Sequence, residues 1–485
     1  MIQFAEIQRV LALLLLLFAQ FMLLPEAVAW YYGDGGQHAF LQSYSVSVTF
    51  GIFLWLPVRD VRRELRYRDG FLIVGLGWCM LSLVSALPFI LSGMTGSVTD
   101  AMFEAVSGIT TTGSTVFSGL DDLPHALNFW RHLLHWIGGM GIIVLAVAIL
   151  PFLGVGGRQI FRAETPGPMK DAALTPRITS TAKRLWFIYA GITLICTLAL
   201  WSAGMTPFDA VNHAFSAVST GGFSTHDASI AYFDSSLIEG ILVVFMLLAS
   251  INFATHFVAL RSISWHPYWR DPETRATLGV ILGAGLLAAL YLWYMGEYND
   301  FPTALRYAMF NVVSVATTTG FATTDFNLWP AFVPILMLFL SSFAASAGST
   351  GGGIKMVRAL LLLKQSMREL RQLIHPGALD LVKFNDRRVD EQVITAIWGF
   401  FFLYIATLGL ATLALVAAQM DFYSAYTAAI AHINNMGPGL NTVGPASNYG
   451  GISAPAKWIL ITTMLLGRLE IYTLLVLFTR SFWRY

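Results

Sequence analysis

The sequence predicts an all-α polytopic membrane protein with a fourfold internal repeat. Three observations carry that prediction. The first is composition: of 485 residues, 56% are apolar and only 12% charged, with a mean hydropathy of +0.64. A soluble globular domain carries about 25% charged residues, and half that cannot coat a soluble protein of this size. The second is a sharp alternation of Lys/Arg-rich and Lys/Arg-poor connections between apolar runs. The third is a short polar patch containing glycine that recurs four times in the Lys/Arg-poor connections. This composition excludes disorder, nucleic-acid binding and a secreted disulfide scaffold as the main role. A net charge of +1 gives no reason to expect an acidic partner. Cys79 and Cys196 both sit in apolar runs and read as lipid-facing or core thiols, not as a bridge or a metal site.

A bilayer core takes about 20 apolar residues per helix. Runs of that kind lie near 10–30, 37–57, 71–92, 132–153, 185–204, 236–260, 278–295, 331–346, 354–372, 392–417 and 457–479. Residues 11–24 followed by Ala27-Val28-Ala29 resemble a signal peptide with a small-residue cleavage site. Glu6 opposes Arg9 in the would-be basic leader, so the segment reads as a retained helix. The connections then fix sidedness. Arg9, the group Arg59–Arg68, the group Arg158–Arg184, the trio Arg261, Arg270 and Arg275, the group Lys355–Arg388, and Arg480 with Arg484 hold 25 of the 29 Lys and Arg. By the positive-inside rule they mark the cytoplasmic side and put both termini there. The four exceptions are Arg131, Arg306, Lys457 and Arg468.

The opposite connections hold the fourfold pattern. Its patches read Thr110-Thr111-Thr112-Gly113-Ser114, Ser219-Thr220-Gly221-Gly222-Phe223, Thr317-Thr318-Thr319-Gly320-Phe321 and Asn434-Asn435-Met436-Gly437-Pro438. The aligned glycines are spaced by 109, 98 and 117 residues, a long-repeat signature. Each patch follows a stretch too short to span that carries helix-start signals: the cap pair Thr99-Asp100, Thr206-Pro207, Phe301-Pro302 and Asp421. The unit is therefore spanning helix, re-entrant half-helix, glycine-containing loop, spanning helix. Residues 1–69 form a two-helix extension, and 70–157, 158–270, 271–390 and 391–485 the four repeats.

A loop at membrane depth leaves backbone carbonyls without helical partners. That is tolerated only where the loop lines a water-filled or ion-filled path. Four such loops about an axis would present rings of carbonyl oxygens, which replace the hydration shell of a monovalent cation. The half-helices would aim the negative ends of their dipoles at that ring. Glycine permits the required backbone angles, and threonine hydroxyls can add another oxygen layer.

Two further features suggest a gate. The span of the third repeat is interrupted by Ser346-Ala347-Gly348-Ser349-Thr350-Gly351-Gly352-Gly353. Three successive glycines cost about 1 kcal/mol each in helix propensity, and the break reads as an intramembrane loop that must move for ions to pass, or else as a hinge or close-packing site. Its lysine spacing is not that of a phosphate-binding loop. Arg468 falls near the middle of the last apolar run. Facing a pore at about 6 Å and an effective dielectric of 20, it would oppose a cation by roughly 3 kcal/mol. The alternative is an arginine tied to a carboxylate or to helix-end carbonyls. Lys355 and Arg358 read most simply as inner-mouth topology anchors. His132 and His135 share a helix face with no further ligand in view. Asp121, Asp122, Asp227, Asp234 and Asp325 lie in external segments, where they draw cations or are simply solvated.

These residues resemble the membrane subunits of bacterial Trk-type potassium uptake systems, in the Trk/Ktr/HKT superfamily. The resemblance covers the whole chain. It rests on the four patches, on Leu153-Gly154-Val155-Gly156-Gly157 and Phe161-Arg162-Ala163-Glu164-Thr165-Pro166-Gly167-Pro168, on Ala347 through Lys355, and on Gly467-Arg468-Leu469-Glu470. It implies four M1–P–M2 repeats, as in potassium channels, around one pseudo-fourfold pore, and a homodimer with one pore per subunit. The implied K+ filter is Thr111, Thr112 and Gly113; Thr220, Gly221 and Gly222; Thr318, Thr319 and Gly320; and Asn435, Met436 and Gly437. The implied gate is Gly348, Gly351, Gly352, Gly353, Lys355 and Arg468. In the superfamily, glycine at all four positions goes with potassium preference and serine at the first with sodium. The cytoplasmic segments hold no nucleotide-binding strand–loop–helix unit. Nucleotide sensing therefore falls to the family's partner, a cytosolic ring of RCK-type domains (TrkA), for which 158–184 and 355–388 offer basic docking surfaces.

Potassium uptake through a gated pore in the bacterial inner membrane is the leading expectation. Symport of K+ with H+ or Na+ is the alternative, with Glu104, Glu470 and Asp209 as candidate relay carboxylates. An organic-solute carrier would need inverted repeats, and an intramembrane enzyme would need paired acids or Ser/His inside spans. Neither pattern is found, and no organic cofactor is expected.

Overall fold

The computed structural model describes residues 2–61, 65–141, 178–376, 381–385 and 387–484. The motifs at 153–157 and 161–168, and the basic segment up to 177, lie outside them.

An N-terminal pair comes first. Phe4–Tyr32 and Gln37–Val58 are long and apolar enough to span a bilayer. The chain start is tied down by Asp69, which accepts from the Gln3 and Arg66 amides at 3.1 and 2.8 Å. Four units follow, each a long helix, a half-helix and a second helix. They run Tyr67–Leu91, Val98–Ile109 and His125–Gly139; then Ile178–Ser202, Pro207–Val218 and Ser236–Ser250; then Pro272–Tyr294, Phe301–Ala316 and Phe332–Ser341; then Glu391–Ala417, Phe422–Ile433 and Ala454–Arg468. The architecture is the all-α, fourfold helix–half-helix–helix arrangement that the sequence predicts.

The second helices differ from expectation. Among the described residues six helices can span alone, and up to eight if each bent pair counts as one. The runs at 236–260 and 457–479 are bent pairs, turning by 100° after Ser250 and by 106° after Arg468. Asn252 restarts the first by accepting from the Ala254 amide at 2.9 Å. Glu470 and Ile471 break the second with φ of +51° and +57°. The third repeat's second helix is only ten residues long. The expected span at 354–372 is corrected: Met356–Ile374 is a helix, but Arg358, Lys364, Arg368 and Arg371 make it amphipathic. A two-stranded hairpin pairing Lys383–Phe384 with Arg387–Arg388 follows it. Cys79 is exposed and Cys196 buried, both free thiols.

Candidate ion pathway

Each half-helix begins at a capping side chain. Ser97, Thr206, Asp300 and Asp421 accept from the amides of Asp100, Asp209, Thr303 and Ser424. The first cap is Ser97 rather than Thr99-Asp100, which lie inside the first turn. The half-helices end alike. The residue before each aligned glycine returns its amide to a carbonyl five residues back: Thr112 to Ser107 at 2.9 Å, Gly221 to Ser216 at 2.7 Å, Thr319 to Ser314 at 2.8 Å and Met436 to Ala431 at 2.9 Å. Two residues per turn then take left-handed backbone. Thr111, Thr220, Thr318 and Asn435 have φ of +55°, +52°, +62° and +52°. Gly113, Gly222, Gly320 and Gly437 have φ of +82°, +81°, +91° and +97°. Non-glycine residues rarely adopt such angles, so their recurrence at matched positions marks one local fold used four times.

The four turns touch one another in cyclic order. A Cβ on Gly113 would meet the Gly221 carbonyl oxygen, one on Gly222 that of Thr319, and one on Gly320 that of Met436. A Cβ on Gly437 would lie 2.8 Å from the Thr112 carbonyl oxygen, closing the ring. Eight of the twelve expected residues meet across the ring in these contacts, and the other four, Thr111, Thr220, Thr318 and Asn435, are the left-handed residues of the same turns. Asn435 adds a bond to the Thr112 hydroxyl at 3.0 Å, and Ser114 and Tyr449 both donate to the Gly437 carbonyl at 2.9 Å. Above the ring lies a cavity of about 260 Å³ lined by Gly113, Gly222, Gly320 and Pro438. Of the external aspartates only Asp227 lines it. Asp121 instead bonds His226 at 2.5 Å and Asp234 bonds Arg306 at 3.0 Å.

Beneath the ring, the break of the third repeat is pinned to three half-helix ends. The Thr350 hydroxyl donates to the Val218 and Ala249 carbonyls, each at 3.2 Å. The Gly352 amide donates to the Thr318 hydroxyl at 2.9 Å. A Cβ on Gly352 would strike the Asn434 carbonyl oxygen, and one on Gly351 would lie 3.0 Å from that of Thr317. Gly348 packs on Asn252, and Gly353 on the Ser341 and Ser342 carbonyls. Lys355 folds back to bond the Gly351 carbonyl. Glu273, which the sequence gave no motif to single out, holds both flanks of the break: one carboxylate oxygen accepts from the Ala347 amide at 2.6 Å and the Val357 amide at 3.1 Å.

Arg468 stands at a helix end, not in mid-span. Its guanidinium donates to the carbonyls of Gly138, Gly139 (2.9 Å) and Thr350 (3.1 Å). It therefore bridges the end of the first repeat's second helix to the third repeat's loop. Glu470 pairs with Arg358 at 2.5 Å, and Arg358 stacks over Phe400 at 4.3 Å. The other cations outside the charge rule also meet carboxylates: Arg131 meets Glu104 at 2.7 Å, Arg306 meets Glu239 at 2.7 Å, and Lys457 meets Asp100 at 2.6 Å. Among the described residues, the candidate relay carboxylates bond other groups and not one another directly. Glu104 and Glu470 have these separate arginines, and Asp209 accepts from Thr206 and Thr225, each at 2.7 Å.

Four capped half-helices whose end turns close a ring define a class: membrane proteins of M1–P–M2 repeats arranged about one axis. Comparison with known proteins narrows it. Residues 36–485 match the family model TrkH, described as cation transport protein. The chain is 50% identical to the Trk system potassium uptake protein TrkH of Salmonella typhimurium, over 99% of both chains. It is 39% identical to the Trk system potassium uptake protein TrkG of Escherichia coli, over 96% of both. It superposes on the crystal structure of the potassium transporter TrkH from Vibrio parahaemolyticus with a TM-score of 0.91, at 47% identity, covering 100% of each chain. The chain belongs to the TrkH family.

Proposed function

We propose that this chain takes up potassium across the bacterial inner membrane through a gated, cation-selective pore, with both termini cytoplasmic. The observation that carries the reading is the cyclic contact of Gly113, Gly222, Gly320 and Gly437 with the carbonyls of Gly221, Thr319, Met436 and Thr112. The carbonyls of residues 111–113, 220–222, 318–320 and 435–437 replace the water around K+. Each half-helix end adds roughly half a negative elementary charge. The loop at 348–353, with Lys355 beside it, is the gate. Arg468 is both its clamp and a positive barrier to the cation. K+ is cargo, and the cycle needs no organic cofactor. The pore works in a homodimer, and the nucleotide signal comes from a cytosolic ring of RCK-type domains (TrkA) docked on the basic segments 158–184 and 355–388. The repeats divide near 70–157, 158–270, 271–390 and 391–485.

Rubidium-86 uptake into proteoliposomes holding a potassium gradient tests the reading. Uptake that potassium competes away better than sodium, and that a protonophore leaves unchanged at clamped potential, is the expected result. Uptake abolished by the protonophore would favour K+–H+ symport. No uptake, with or without the cytosolic ring and in the Arg468→Ala variant, would overturn the pore.

A further inference from the structure

The strand that leaves each filter glycine must be held in place, because its position sets where the glycine's own carbonyl and its neighbours point. The residue nine positions before each glycine is Glu104, His213, Asn311 or Ala428. In three repeats this side chain crosses the turn and ties down the departing strand. Asn311 accepts from the Thr323 amide at 3.3 Å and donates to the Thr323 hydroxyl at 2.8 Å. His213 bonds the Ser224 hydroxyl at 2.9 Å. In the fourth repeat Ala428 cannot, and its neighbour Thr427 accepts from the Leu440 amide at 3.1 Å.

The first repeat makes the tie with charge. Glu104 accepts from the Val116 amide and from the Thr115 hydroxyl, each at 3.0 Å. Arg131 donates to Glu104 at 2.7 Å, and both side chains are 0% exposed. The same guanidinium reaches the second repeat, donating to the Ser224 carbonyl at 3.3 Å and lying over the Phe223 ring at 4.2 Å. One buried ion pair thus anchors two of the four departing strands. Charge-assisted bonds are shorter and stronger than neutral ones, and the first repeat is the one that uses such a bond at this position.

We propose that this position is a filter brace, and that Glu104 with Arg131 are positioning residues that set ion discrimination. The inference rests on the pore reading above. A carbonyl ring that keeps its spacing suits the larger potassium ion, whereas a ring free to contract also accommodates sodium. Releasing the brace therefore trades selectivity, not conduction.

The test is competition by potassium and by sodium against rubidium-86 uptake in proteoliposomes. The proteins are wild type, Glu104→Gln, the charge-free pair Glu104→Gln/Arg131→Gln, Asn311→Ala, and Gly113→Ser as a direct filter lesion. The brace predicts that the braced variants keep their maximal uptake while the potassium-over-sodium preference falls on the order of tenfold. Asn311→Ala leaves no charge unpaired, so it carries the test should Glu104→Gln fail to fold. Folded brace variants with wild-type preference, alongside a shifted Gly113→Ser, would overturn the brace and leave the pore standing. An unshifted Gly113→Ser, or wild type indifferent to potassium, would overturn the pore and the brace with it.

Discussion

Replacing Arg468 by alanine removes one positive charge and the guanidinium's bonds to backbone carbonyls beneath the ring. The bonds go to the carbonyls of Gly138, Gly139 and Thr350, so the guanidinium joins two repeats. The charge effect is the easier to size. For a cation about 6 Å away at an effective dielectric of 20, Coulomb's law gives roughly 3 kcal/mol. That is on the order of a hundredfold in rate. If the loop gates the path, loss of the clamp acts in the same direction, because bonds to a charged donor contribute about 1.5–3 kcal/mol each and here hold the loop in the observed position. The charge alone therefore sets the lower bound of the expected effect. Arg468→Ala is therefore expected to raise rubidium-86 uptake without the cytosolic ring by about two orders of magnitude. Arg468→Lys keeps the charge and should stay within about tenfold of wild type. A folded Arg468→Ala protein with uptake at or below wild type would refute the barrier. Equal increases in the alanine and lysine variants would refute the charge and leave only the clamp.

The loop makes its own predictions. Gly352→Ala puts a Cβ against the Asn434 backbone oxygen, which cannot move aside, so the loop should shift and ring-free uptake should rise; unchanged uptake in folded protein contradicts that. Glu273→Leu strands the Ala347 and Val357 amides at about 1–3 kcal/mol each. It should also raise ring-free uptake, whereas Glu273→Gln, which keeps an acceptor oxygen, should not. At the mouth, burial disfavours the charged His226 ring, but the nearby Asp209 carboxylate, 3.6 Å away, and the bond to Asp121 prevail and hold its pKa above the ordinary histidine value. Burial raises the Asp121 carboxyl, yet the His226 bond outweighs it and holds the carboxyl below the usual range. A raised histidine stabilises fully below its unfolded pKa and loses that as pH rises through the folded one; a lowered aspartate loses its contribution as pH falls through its folded value. The tie therefore holds between those two titrations. The melting-temperature gap between wild type and His226→Gln should shrink as pH climbs from about 6 to about 9; a gap constant with pH contradicts it.

The repeats were legible because each half-helix brings its own local chemistry: an oxygen-bearing cap, then a polar turn with glycine. Thr206 and Asp421 cap where local rules put them, and Phe301-Pro302 does open the third half-helix, but its cap is Asp300, one residue earlier than the signal read. The first cap lay two residues earlier because Ser97 accepts from Asp100, so the expected pair fell inside the turn. The breaks in the second helices were not legible. Residues 236–260 and 457–479 read as continuous apolar runs, and their bends depend on distant partners. The Phe253 amide bonds the Gly348 carbonyl at 3.1 Å, and Glu470 is drawn to Arg358, 112 residues away in sequence. Arg468 therefore looked like a mid-span arginine although it ends a helix. The cations outside the charge rule were visible as exceptions, but Lys457 finds Asp100 across 357 residues. No local pattern encodes such a pairing. Glu273 was hidden for the same reason, since its partners are two backbone amides more than 70 residues away.

The central claim is that a monovalent cation sits within the ring closed by Gly113, Gly222, Gly320 and Gly437. Anomalous diffraction from crystals soaked in rubidium or thallium ions tests it most directly. The account predicts a peak on the axis among the carbonyls of residues 111–113, 220–222, 318–320 and 435–437. A ring without a peak, in crystals that bind the ion elsewhere, would contradict it.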